Sequence, residues 1–137
     1  MKILLTGASG YIGKRLMIAL LKEGHELICC VRDRSRFEIP EGYEDQVEIL
    51  ETDFSQVPEK GIKGLKADAA YYLIHSLSGP EKDLRKREEH TAHYFKMLFK
   101  ELGCKQVIYL GGIANEEELS HHLQSRKGVE KILESSS

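Results

Sequence analysis

Gly7, Gly10 and Gly13 follow the short stretch Lys2 to Thr6, and a helical pattern begins directly after them. Lys2 to Thr6 is mostly apolar and β-forming, too short for a helix but suited to a buried strand. Strand, glycine turn and helix form the context in which such a motif has chemical meaning. Gly7 is expected to let the chain leave the strand in a tight turn. Gly10 lacks a Cβ, so that an anion can approach the backbone, and Gly13 lets the helix pack close to the strand. The first helical turn then offers the N–H groups of Tyr11, Ile12 and Gly13, with a partial positive charge of roughly half a unit. That is a site for a diphosphate, with Ser9 inside the turn. The spacing is Gly-x-x-Gly-x-x-Gly rather than Gly-x-Gly-x-x-Gly, and the alternative is a turn that glycines close for shape alone. A P-loop is excluded, because Ala8 stands where it needs a glycine and Arg15 replaces the Ser/Thr that would hold magnesium.

A second set of residues discriminates between ligands. In a unit of this kind the tip of the second strand carries Asp or Glu when it holds the ribose 2′-hydroxyl of NAD. Here the tip reads Val31-Arg32-Asp33-Arg34-Ser35-Arg36. Arg32 holds the discriminating place, and a guanidinium can pair with a 2′-phosphate and stack on adenine. NADP is therefore expected, with Arg32 and Arg36 as contacts; Asp33 keeps NAD possible, and Arg34 and Arg36 can equally be solvated loop charges. Asp53, with Phe54 beside it, can accept a hydrogen bond from the adenine amino group or serve as an N-cap. His75 and Ser76, following Ile74, fall at the carboxyl end of a strand, where open α/β sheets place ligands; the alternative for His75 is a loop residue. His90 and His93 lie three apart on a helix, but no carboxylate or cysteine completes a metal set, so solvated histidines are expected.

The elements that must position these residues alternate. The helix after Gly10 carries Ile12, Leu16, Ala19 and Leu20 as its expected apolar face, and Gly24 ends it. Glu26–Val31, Val47–Glu51, Ala69–Ile74 and Gln106–Leu110 read as further strands. Residues 37–45 read as a loop with room for one helical turn, and any helix in 55–66 is short. A long helix from about Pro80 to Leu102, stopped by Gly103, has a charged first half (Glu81 to Glu89) expected to project into solvent. Its core stripe is Ala92, Phe95, Leu98, Phe99 and Leu102, and a last helix runs from Leu119 or later to Leu133. Alternation of strand and helix predicts a doubly wound, Rossmann-type parallel sheet of order 3-2-1-4-5 in a three-layer αβα domain spanning residues 1–137.

The 137 residues suit one domain, and a net charge of −2 with 31% charged residues points to neither nucleic acid nor a membrane surface as partner. No apolar run approaches the about twenty residues of a membrane-spanning helix, and no export signal precedes the first strand, so a cytoplasmic location is expected. The three cysteines form no Cys-x-x-Cys and read as buried thiols in a reducing compartment.

Taken together, Thr6-Gly7-Ala8-Ser9-Gly10-Tyr11-Ile12-Gly13, the Val-Arg-Asp tip, Thr52-Asp53-Phe54 and Tyr72-Leu-Ile-His-Ser76 resemble the extended or atypical short-chain dehydrogenase/reductases, in particular the NmrA-like and epimerase-like branch. The resemblance implies that Asp53 contacts adenine and that residues 73–76 lie beside ribose and nicotinamide. It also implies a Ser/Thr after the fifth strand and a Tyr-x-x-x-Lys pair followed by glutamate, and here the chain departs. Gly111-Gly112-Ile113 stand in the first place; anchoring on Glu130 puts Arg126 in the lysine place and His122 in the tyrosine place. Being i, i+4, the two share a helix face, where histidine can do acid/base work and arginine can bind ribose or phosphate; the alternative is two surface residues on a terminal helix. The expected product is an atypical reductase or isomerase acting on an unknown small molecule, or a sensor that binds the dinucleotide without turning it over. Relatives continue with a substrate-binding region, so a fragment of a longer protein is expected, or a homo-oligomer that covers the fifth strand.

Overall fold

The computed structural model describes residues 1–53, 64–74 and 81–109. Five strands, β1 (Lys2–Leu5), β2 (Glu26–Val31), β3 (Val47–Glu51), β4 (Ala69–Tyr72) and β5 (Gln106–Tyr109), form one sheet of order β3-β2-β1-β4-β5. Every neighbouring pair is parallel, with Leu4 opposite Ile28 and Ala70, and Cys30 opposite Leu50. The sheet order expected from the alternation of elements is the one observed. Helices α1 (Tyr11–Lys22) and α2 (Glu81–Glu101) supply the outer layers.

Alternation along each strand divides the interior between the two faces. Ile3, Leu5, Leu27, Cys29 and Val31 pack with Met17, Leu20 and Leu21 of α1. Leu4, Ile28, Cys30, Ala70 and Tyr72 pack with Ala92, Phe95, Leu98, Phe99 and Leu102, the stripe expected on α2. Tyr72 meets Phe95 edge to face, ring centroids 4.9 Å apart, and Tyr109 at 5.6 Å.

Three local expectations are corrected. The buried face of α1 is displaced by one position, to Gly13, Met17, Leu20 and Leu21, while Ile12 and Ala19 are exposed and Leu16 is half-buried. The cause is at Gly13, where a Cβ would stand 2.0 Å from the Gly7 carbonyl oxygen; contact this close fixes which side of the helix faces inward. The strand expected through Ile74 ends at Tyr72, because β1 turns away after Thr6 and the Leu73 N–H donates to the Thr6 hydroxyl at 3.1 Å instead of to a strand neighbour. Within the charged half of α2, Lys86 and Arg87 are exposed but Glu88 is 4% exposed, on the face that also carries Thr91, Ala92 and Phe95. Burial, and then the Glu88 carboxylate, push the Tyr72 hydroxyl well above its ordinary range. The second-strand tip forms a 3-10 turn, Arg34–Arg36, and the one turn for which the following loop had room is Glu44–Gln46. Gly24 ends α1 at φ +88°, and His90 and His93 are exposed. Among the described residues no helix is long and apolar enough to cross a membrane, and no three His, Cys, Asp or Glu side chains cluster as metal ligands.

Candidate functional site

Because the strands are parallel, the segments that leave β1, β2, β3 and β4 share one edge of the sheet. They are the glycine turn, the Arg32 tip, Thr52–Asp53 and Leu73–Ile74. The strand order reverses between β1 and β4, which is where open sheets of this type bind ligands. Thr6 governs that point. Completely buried, it donates its hydroxyl to the Tyr71 carbonyl at 2.7 Å and its N–H to the same oxygen at 3.2 Å, and accepts from the Leu73 N–H. One side chain thus holds β1 and β4 together where their ladder ends. The sequence signalled Thr6 only as a residue before glycine; its role comes from partners 65 and 67 positions away.

Gly7 then turns the chain at φ +67°, a conformation that L side chains rarely adopt, with its backbone against Leu73: a Cβ there would lie 3.0 Å from the Leu73 carbonyl oxygen. Ala8 is buried, and the Gly10 N–H closes the turn onto the Gly7 carbonyl at 3.1 Å. Gly10 is the N-cap of α1 and offers no side-chain cap; the first helical bond is Lys14 N–H to the Gly10 carbonyl, 2.9 Å. Tyr11, Ile12 and Gly13 therefore present N–H groups ahead of the helical ladder, and the first turn holds no acidic residue. Ser9, Gly10, Tyr11 and Ile12 are exposed around this opening, and the Arg15 guanidinium lies over the Tyr11 ring at 4.5 Å. A Cβ on Gly10 would meet one heavy atom within 4 Å, the Gly7 oxygen at 3.4 Å. The cradle fits a dinucleotide diphosphate: donors converge, the first turn of α1 carries no carboxylate, and the backbone can be approached.

At the β2 tip, Arg32 is exposed and has no hydrogen-bond or ion-pair partner among the described residues. Arg34 is exposed but anchored: its guanidinium donates to the Ile49 carbonyl at 2.8 Å and its N–H to Glu51 Oε2 at 3.0 Å. Arg36 is largely exposed, its Nε 3.5 Å from Asp33 Oδ2. Beyond β3, the Thr52 N–H donates to the Val31 carbonyl at 2.8 Å, its hydroxyl shares a 2.5 Å hydrogen bond with that of Tyr94, and Asp53 is half-buried beside it. Ile74 is half-buried and packs against the α2-side core. Phe54, His75, Ser76, His122 and Arg126 lie outside the described residues.

A parallel sheet reversing its order beside an uncapped helix N-terminus defines a dinucleotide-binding α/β domain. Residues 3–118 match the NAD-dependent epimerase/dehydratase family, and the chain belongs to it. The ketoreductase sphI of Aspergillus fumigatus is 38% identical over 87 residues, which are 59% of this chain and 26% of that protein. A nucleoside-diphosphate-sugar epimerase from Staphylococcus aureus shares the fold with a TM-score of 0.74 at 17% identity, over 100% of this chain and 47% of that one. Triphenylmethane reductase from Citrobacter sp., solved with NADP(H), gives 0.73 at 22% identity, over 98% of this chain and 45% of its own. The chain thus spans about a quarter of the curated relative and under half of these two structures.

Proposed function

We propose that residues 1–137 form the NADP(H)-binding domain of an atypical short-chain dehydrogenase/reductase, an oxidoreductase or isomerase of the cytoplasm. The observation that carries this reading is the N-terminus of α1, uncapped by any side chain and set at the switch point between β1 and β4. In it the N–H groups of Tyr11, Ile12 and Gly13 hold the diphosphate, with Ser9 at its rim. Arg32 and Arg36 hold the 2′-phosphate, Asp53 and Phe54 the adenine, and Ile74, His75 and Ser76 the ribose and nicotinamide end. Hydride exchange at the nicotinamide is the chemistry that such a cofactor supplies when bound. His122 moves the proton and Arg126 binds ribose or phosphate. The NADP-bound state of the Citrobacter reductase supports the choice of cofactor, as does the exposed Arg32.

Calorimetric titration with NADPH and NADH tests the reading. NADPH is expected to bind more tightly, and Arg32→Ala to weaken it by about 10- to 100-fold, the worth of a charge-assisted pair. Equal affinities for the two cofactors would remove Arg32 from the argument, and no binding of either would overturn the reading. A second reading, a sensor that binds the dinucleotide without turnover, is favoured by Gly111-Gly112-Ile113 standing where a catalytic Ser/Thr is expected. NADPH oxidation with a panel of carbonyl compounds separates the two, since a sensor binds and shows no turnover.

A further inference from the structure

The place after Arg32 is held by an acid, and an acid at a β2 tip is ordinarily read as a ribose-diol acceptor that favours NAD. The hydrogen bonds of Asp33 point to another role. Its Oδ1 accepts the Ser35 N–H at 3.0 Å and the Ser35 hydroxyl at 2.6 Å, and its Oδ2 faces Arg36 Nε at 3.5 Å. Asp33 is the N-cap of the 3-10 turn Arg34–Arg36, with extended backbone (φ −137°, ψ 104°). The turn is closed by Arg36 N–H to the Asp33 carbonyl and Phe37 N–H to the Arg34 carbonyl, both 3.2 Å, and fastened to β3 by Arg34 through Ile49 and Glu51. On the other side of Arg32, the Val31 carbonyl is fastened to Thr52 N–H. Arg32 is therefore a short exposed span between two anchored points, and Asp33 is one of them.

Resting on the NADP(H) reading above, we infer that Asp33 is a positioning residue for 2′-phosphate recognition and not an acceptor for the ribose diol. Its Oδ1 is held by Ser35 and its Oδ2 faces Arg36, so a ribose diol must compete with the cap at Oδ1 or with the guanidinium at Oδ2. A 2′-phosphate makes the opposite demand: it leaves the cap intact and draws Arg36 away from an exposed pair, an exchange of one anion for another. The tip is thus set beforehand for the phosphate-bearing cofactor, which saves the ordering of two arginine-bearing positions at binding.

Two variants of equal charge separate cap from charge. Asn retains a carbonyl oxygen for the Ser35 N–H and caps as well as Asp, whereas Ala cannot cap. With NADPH and NADH titrated into the chain, Asp33→Ala should weaken NADPH by about three- to tenfold and move NADH by less than about twofold. Asp33→Asn should bind NADPH at least as tightly as the wild type, because Arg36 is released while the turn persists. Amide hydrogen exchange at Ser35 should quicken in Asp33→Ala only. Equal NADPH affinities for the two variants would overturn the inference, as would a selective loss of NADH in either, the mark of a diol acceptor. A wild type that binds NADH and NADPH equally would instead overturn the cofactor reading on which it rests, and the inference with it.

Discussion

The carbonyl of Gly7 is the most crowded point of the diphosphate cradle. The Gly10 N–H donates to it at 3.1 Å, and a Cβ on Gly13 would stand only 2.0 Å from its oxygen and 2.8 Å from its carbon. Those atoms are backbone and cannot swing aside, so one added methyl at Gly13 must push the start of α1 off the turn. Gly10 differs: its φ of −78° is open to alanine, and its Cβ would meet the same oxygen at an ordinary 3.4 Å. Gly13→Ala should therefore cost about 3 kcal/mol of stability, the upper part of the range for overpacking, and abolish NADPH binding with it. Gly10→Ala should cost under about 1 kcal/mol yet weaken NADPH roughly tenfold, or about 1.4 kcal/mol, by placing a methyl where the diphosphate approaches. Urea denaturation and titration calorimetry on both variants would show it. Equal losses of stability would mean that the two glycines do not divide packing and binding between them.

At the scale of the element, α1 has one phase and Gly13 sets it. The helix holds apolar residues from Leu16 to Leu21 without interruption, so periodicity alone supports more than one inward face. Met17 is 3% exposed and Ile12 is 52% exposed. Met17→Ala is expected to cost about 2–4 kcal/mol, against less than about 0.5 kcal/mol for Ile12→Ala, where alanine's helix preference offsets lost contacts. Equal costs in thermal or urea unfolding would restore the phase expected from the sequence. The same helix shows what was legible beforehand. Strand positions and their order could be read because each strand is a short apolar run bounded by turn residues, and the turn at Gly7 and the close approach at Gly13 because glycine alone permits them. The phase of α1 could not, since it depends on a backbone contact between Gly13 and Gly7. Nor could the anchoring of Arg34, whose acceptor is a carbonyl on the next strand, or the burial of Glu88, which charge alone assigns to solvent.

For the molecule as a whole, the adjacent cysteines of β2 sample both cores. Successive strand residues point to opposite faces, and Cys29 lies in the core beneath α1 while Cys30 lies in the core beneath α2. Both are buried, and in both burial pushes the thiol upward: Cys29 to about 12 from an ordinary 9.0, Cys30 further. A single-faced sheet would leave one of the pair near its ordinary value, so paired elevation is a signature of three layers. Its consequence for stability has a definite sign. Below pH 9 both folded and unfolded thiols hold their protons, and the contribution is fully present. Above pH 9 the unfolded chain gives up protons that the folded chain keeps, so the folded state binds more and stability falls as pH rises toward the folded values. Each thiol should remove about 1.4 kcal/mol per pH unit in that range, or roughly 4 kcal/mol for the pair by pH 10.5, a large share of a typical domain's stability. Urea midpoints measured from pH 7 to 10.5 should be flat with respect to these thiols up to about pH 9 and then decline. Cys29→Ala and Cys30→Ala should each make the alkaline decline shallower by about 1.4 kcal/mol per unit, independently of whatever cavity cost either carries at pH 7. If only one substitution changes the slope, one face of the sheet is open to water in solution, and the division of the interior between α1 and α2 fails on that side.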